Sequence, residues 1–202
     1  MGGRAVLLVA LACCVTACGR GGGSPAGAGS AVAQSTPPPL PASSSCRTSP
    51  PDVIPIADVP LGGGGVGPGA DERDAENRFA EAHADVYAGM VFGDGYDWIG
   101  FTADAQQHLA ELRRVVPSPA MVRAFCARFT HAQLTALQSR IQSDFGWLHS
   151  QGIDVSSVGV DELSDHVGLT VMQPLDSRIV RLLRDRYGPM LGTIGSAIYR
   201  PV

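Results

Sequence analysis

Lysine is absent from this chain: all 15 basic residues are arginine. The bias is that of a GC-rich bacterial genome and carries no chemistry of its own. Charge is scarce where glycine and proline are dense. Residues 19–70 hold 12 of the 25 glycines and 10 of the 15 prolines, but only Arg20, Arg47, Asp52 and Asp58 among charged side chains. A stretch of that composition has too little apolar surface to offset the entropy of ordering and reads as a disordered tether. No basic excess exists either. Residues 71–202 carry 17 acids against 12 arginines, a net charge of −5, which excludes the electrostatic footprint of a nucleic-acid binder. Catalytic and metal-ligating spacings are also missing: there is no H-x-x-x-H, H-E-x-x-H or C-x-x-C and no G-x-S-x-G elbow.

What is present begins with an address. Arg4 precedes the apolar run from Ala5 to Ala12, which continues through Cys13, Cys14 and Val15 to Thr16 and Ala17. Charge, then a short apolar core, then small residues is the order of a secretory signal, and the run is too short to span a bilayer. Val15-Thr16-Ala17-Cys18 resembles the lipobox of bacterial lipoproteins. The resemblance implies a signal peptide over 1–17 and lipidation at Cys18, hence anchoring in the cell membrane on its extracytoplasmic face, because several acyl chains exceed the marginal affinity of one. Residues 18–70 are then the lipid-anchored tether, and removing 19–68 should cost the domain no stability. Gly62 to Gly67 formally satisfies G-x-G-x-x-G, but Pro55 and Pro60 break the strand that a dinucleotide site needs, so no cofactor is expected.

Residues 71–202 read as a single α+β domain. Ala75, Phe79, Ala82 and Val86 stripe a leading helix. Val86–Phe92 and Tyr96–Thr102 flank Gly93-Asp94-Gly95, the chemistry of a hairpin turn. Thr102 suits the cap of a second helix striped by Ala105, Leu109, Leu112 and Val116, followed by a strand over Val122–Phe129. Thr130 and Gln133 form a capping box ahead of Leu134, Leu137, Ile141, Phe145 and Leu148, one long helix to Gly152. A second hairpin (Val155–Val160, His166–Met172), a helix and a final strand complete the chain. The order ββαβ occurs twice, in halves at about 86–129 and 155–200, so two small antiparallel sheets packed with helices are expected. Asp97, Gly100 and Thr102 match Asp165, Gly168 and Thr170 at an offset of 68, and Arg113 matches Arg181. Glycine recurring inside a strand points to close approach by a neighbour at Gly100 and Gly168.

Tyr87-Ala88-Gly89, the hairpin ending in Thr102, Thr130-His131-Ala132-Gln133-Leu134, and Val158-Gly159-Val160-Asp161-Glu162 together resemble the pro-domains of α-lytic-type and streptogrisin-type serine proteases over roughly 86–172. That resemblance implies a fold and a tendency to dock on another protein. The Gly-Asp-Ser-Gly-Gly segment of the protease itself is not in the sequence.

Chemistry is sparse. A Cys46–Cys126 disulfide suits an exported chain, while Cys126 with His131, His149 or His166 is the alternative of a thiol nucleophile; apolar neighbours favour a structural role for it. His83 and His108 read as exposed helix residues. No metal site is expected, because no two histidines fall on adjacent turns. Asp94 and Asp97 bracket a turn, where Asp is the expected residue. Tyr87, Trp98 and Trp147 are candidate interaction aromatics, with core packing as the competing role. These readings describe a non-catalytic protein-interaction module whose partners are the membrane, through its anchor, and an extracytoplasmic protein, with no nucleic acid. The alternative is a cell-wall hydrolase or transferase whose site is dispersed in sequence. If the acyl chains alone supply bilayer affinity, Cys18→Ser releases the protein from membrane fractions; retention at high salt after that change would refute the anchor.

Overall fold

Asp94 and Gly95 both take positive φ, 51° and 79°, and fold β2 (Tyr87–Gly93) back on β3 (Tyr96–Phe101) in an antiparallel hairpin. Two central residues in that region match the twist of the strands they join. The chain is described by a computed structural model over residues 46–60 and 67–197. Cys18, the signal peptide and Gly62 to Val66 lie outside the described residues.

Helix α1 (Ala70–Ala82) precedes this hairpin, and α2 (Ala105–Leu112) follows it and returns the chain as β4 (Val122–Cys126). Strand β4 lies parallel to β3. Helices α3 (His131–Ser143) and α4 (Phe145–Ser150) lead to a second unit of the same order, β5 (Val155–Asp161), β6 (His166–Val171), α5 (Ser177–Tyr187) and β7 (Leu191–Ser196). The domain is therefore α+β with two small sheets packed by helices. Each sheet is mixed rather than antiparallel throughout, since β7 also joins β6 in parallel. A strand that returns through a helix arrives in the same direction as the strand it left.

The capping box is formed as expected, with Thr130 Oγ1 accepting from the Gln133 amide at 3.1 Å and the Gln133 side chain accepting from the Thr130 amide at 2.9 Å. Other boundaries move. Thr102 does not cap α2; its hydroxyl donates to the Val86 carbonyl, and Asp104 takes the cap position. The long helix breaks at Asp144, whose carboxylate receives Arg186 Nε at 2.9 Å and the Tyr187 hydroxyl at 3.1 Å. After the break, Phe145 faces solvent.

Residues 46–60 are not tether. Val53–Pro55 forms β1, a parallel edge strand on β4, giving the order β1-β4-β3-β2. Proline is tolerated at the end of an edge strand because no ladder bond needs its missing N–H, so Pro55 bounds the strand without abolishing it. Val53 is fully buried, and Cys46 is bonded to Cys126 across a separation of 80 residues. Asp52 pairs with Arg113 at 3.2 Å and with Arg123. The Pro60 carbonyl lies where a Cβ on Gly93 would have to go. Deleting 19–68 would thus remove a strand, a disulfide and a buried side chain, and it is not neutral.

The repeat holds in its order of elements but not at one constant offset. Strand β5 starts and ends 68 residues after β2, whereas β6 starts and ends 70 residues after β3. Both hairpins carry the same bulge, between Tyr87 and Gly89 and between Val155 and Ser157. The difference is the connection: Asp94-Gly95 in the first half, Glu162-Leu163-Ser164-Asp165 in the second. Gly100 consequently occupies the ladder position of Thr170, and Asp97 that of Val167, so the identities at offset 68 are two residues out of step with the strands. Arg113 and Arg181 also differ, the first bonded to the Val122 carbonyl and the second exposed on α5.

Those registers separate the two glycines. A Cβ on Gly100 would stand 2.5 Å from the Phe125 ring and 3.1 Å from Ala88 Cβ, whereas one on Gly168 would meet only the Gly159 carbonyl oxygen, at 3.9 Å. Gly100→Val should destabilise by about 1–3 kcal/mol through overpacking. Gly168→Val, expected from the sequence to behave likewise, should instead be neutral or stabilising. Urea midpoints check both; equal losses would contradict the different surroundings of the two glycines.

Candidate functional site

Glu72 and Glu76 stand four residues apart on α1 and therefore on one face, the same face that buries Ala75 and Phe79. The face packs over the side of β3 that carries Asp97, Ile99 and Phe101, residues of one parity. Three carboxyls are thereby taken out of water: Glu72, Glu76 and Asp97 are all at least 95% buried. Both Glu72 oxygens accept from the Ser118 amide, at 3.1 and 3.3 Å. Neither oxygen of Glu76 and not Asp97 Oδ1 has a hydrogen-bond partner among the described residues.

Burial of a carboxylate without partners favours its neutral form. Glu76 is pushed up to about 7, first by burial and then by the neighbouring Asp97 and Glu72, with Arg73 opposing. Asp97 is raised by burial and by Glu72, again against Arg73. A cavity of about 160 Å³ adjoins the cluster, bordered by Glu72, Asp97, Gly95, Phe92, Ser118 and Met121. A carboxyl that exchanges its proton near neutral pH is the chemistry such a group can offer.

The sequence pairs Asp97 with Asp94, but Asp94 is an exposed turn residue. Its real neighbours come from α1, 21 and 25 residues earlier. The only sequence signal for them is an acidic pair at i, i+4 within a helix stripe.

The candidate aromatics separate. Trp98 is a core residue, its indole N–H donating to the Gly93 carbonyl at 3.1 Å. Tyr87 is half-buried, its ring 6.0 Å from that of His131. Trp147 is exposed on one side and covered on the other by the Arg186 guanidinium, 3.9 Å from its ring centroid. Of the three, Trp147 alone is exposed. The thiol-nucleophile reading of Cys126 ends with the disulfide, because a nucleophile needs a free thiolate.

His83 and His108 are not on exposed faces. Their rings lie edge to face with centroids 5.1 Å apart, and Glu111 joins them. Sequence spacing misses this group because His83 ends α1 while the other two lie on α2.

Known proteins offer no guide to either cluster: no protein-family model matches the chain, and no curated protein matches its sequence.

The raised Glu76 fixes the sign of a pH effect. Its folded pKa lies above the ordinary value of 4.5, so between pH 4.5 and about 7 the native state binds the extra proton and stability falls as pH rises. The group should contribute a loss of about 2–3 kcal/mol over that interval. Glu76→Gln should flatten the slope and raise Tm above pH 7. An unchanged slope in thermal melts from pH 4 to 8 would show that Glu76 is not the group responsible.

Proposed function

We propose that this chain is a membrane-anchored extracytoplasmic lipoprotein whose domain is a non-catalytic, pro-domain-like interaction module. The observation that carries this reading is the free edge of β5. The second sheet has the order β5-β6-β7, and among the described residues no strand pairs with the outer side of β5. This edge is seven residues long, Val155 to Asp161, with no proline and no charge before Asp161. Natural edges are ordinarily shortened or charged to prevent pairing with other chains; β5 is neither beyond its bulge between Val155 and Ser157. An extended segment of a second protein could add there as a further strand, its affinity coming from main-chain hydrogen bonds. Ser156 and Ser157 are exposed, while Val155, Val158 and Val160 hold the strand to its own core. The lipobox-like Val15–Cys18 supports a position outside the cell membrane, and the pro-domain resemblance supports a protein partner.

A second reading, a cell-wall hydrolase or transferase, is favoured by the Glu72, Glu76 and Asp97 cluster. Against it, the adjoining cavity of about 160 Å³ is smaller than the several hundred Å³ typical of ligand pockets, and Ser118, the hydroxyl residue at its border, has no histidine or lysine among the residues lining the cavity to act as its base.

A photo-cross-linking residue at Ser157, compared in the native cell with one at exposed Asp74 on α1, tests the docking edge. The expected result is one adduct of defined mass from position 157 and none from 74. Identical adducts from both positions, or none from 157, would overturn strand addition at β5.

A further inference from the structure

Helix α1 ends at His83, which takes the C-terminal cap position with its ring stacked on Phe79, centroids 4.0 Å apart. Its Nδ1 lies 2.9 Å from the Phe79 carbonyl oxygen. Since a carbonyl only accepts, Nδ1 carries the proton in this contact. Nε2 then presents its lone pair on the other side, 3.6 Å from Glu111 Oε2. His108, stacked on Phe101, brings a second nitrogen to the same oxygen: Nδ1 lies 3.3 Å from Glu111 Oε2. That contact is close but not aligned as a hydrogen bond, and Nδ1 is a buried atom without a hydrogen-bond partner among the described residues. The other Glu111 oxygen is already engaged, accepting from Gln107 Nε2 at 2.9 Å. Two imidazole nitrogens and one carboxylate oxygen therefore converge, all within 4.8 Å of one another.

We propose that His83 Nε2, His108 Nδ1 and Glu111 Oε2 bind a divalent transition-metal ion of the zinc class. Both nitrogen–oxygen separations are close to those between a metal's ligands, and the two nitrogens lie within 4.8 Å of each other. Atoms at the corners of a tetrahedron with bonds of about 2.0–2.1 Å stand about 3.3 Å apart, against 3.3 and 3.6 Å here.

The surroundings are those of a metal site as well. A ligating histidine ordinarily donates its other N–H to a carbonyl or carboxylate, which fixes the tautomer and ring orientation; the Phe79 carbonyl does this for His83, and Gln107 orients Glu111. Imidazole nitrogens select zinc and its neighbours over magnesium and calcium, which prefer oxygen. Three protein ligands leave a fourth position for water, and the partial exposure of all three side chains gives solvent access. Bound there, the ion ties the end of α1 to α2, so metal binding and the docking of α1 become linked.

The competing arrangement is a histidine–glutamate ion-pair cluster that binds no metal, and titration of the tag-free full chain separates the two. Zinc should bind at one equivalent and raise Tm, by about 5 °C or more at a hundredfold excess over Kd. Cobalt(II) should give the intense visible absorption of a four-coordinate site. Glu111→Gln, which keeps the shape of a partly exposed side chain, and His108→Ala should each weaken zinc binding at least about tenfold. His149→Ala, outside the cluster, should leave it unchanged. Circular dichroism reports whether each variant folds, and a variant that does not is replaced by His83→Gln in the same titration. No saturable binding below about 100 µM zinc, or binding that survives both Glu111→Gln and His108→Ala, would overturn the proposal. Equal Tm shifts with magnesium or calcium would do the same.

Discussion

The buried carboxylate of Asp165 fixes how the two halves of this domain meet. It accepts from the backbone amides of Arg128 at 2.7 Å and Phe129 at 3.2 Å, the two residues at which the chain leaves the first sheet and enters the core of the second. Burial outweighs those bonds and raises its pKa. A buried amide without an acceptor is costly, so one side chain satisfying two amides sets the path of the chain at this junction. From the same turn, Glu162 accepts from the Met90 amide at 3.2 Å and lies against Gly89, whose φ of 124° excludes a side chain comfortably. Leu163 packs with the group containing Trp98 and Phe125. The two residues that lengthen the second turn thus belong to the segment that binds the halves together.

This accounts for the unequal behaviour of two units of the same order. In the first, the connecting turn is minimal, and Asp97, inside β3, is left facing the acidic side of α1. In the second, the corresponding strand position is Val167, fully buried in an apolar core, and the acid has moved into the turn, where amides receive it. Asp97 in the first sheet and Glu76 on α1 are therefore under-satisfied, and among the described residues no buried carboxyl of the second sheet is.

Helix α1 is also the element held by the most varied means. Its apolar face buries Ala75 and Phe79, Glu72 binds the Ser118 amide, and its last turn delivers His83 to α2. Nearby, the disulfide closes a loop of 80 residues and keeps the segment before α1 on the sheet, the kind of long closure that removes most freedom from the unfolded chain.

Local signals in the sequence were sufficient at most places where the physics is local, the cap of α2 at Asp104 instead of Thr102 being the exception. The apolar period placed α1, α2, α3 and α5, Asp94-Gly95 placed the first hairpin, and Thr130 with Gln133 placed a cap, because each depends on residues within about four positions. The α+β class followed from their order. Tertiary structure decided what depends on distant partners. Strand β1 is three residues ending in proline and exists only because β4 offers it a ladder and Cys126 a bond. The break falls at Asp144, whose carboxylate is held by Arg186 and Tyr187, over 40 residues away. Matching identities suggested an offset of 68, but hydrogen-bond register obeys turn length, and two added residues shifted every equivalence on β6. His83, His108 and Glu111, like Glu72, Glu76 and Asp97, converge from separate elements, and no spacing rule along a chain can measure a distance across a fold.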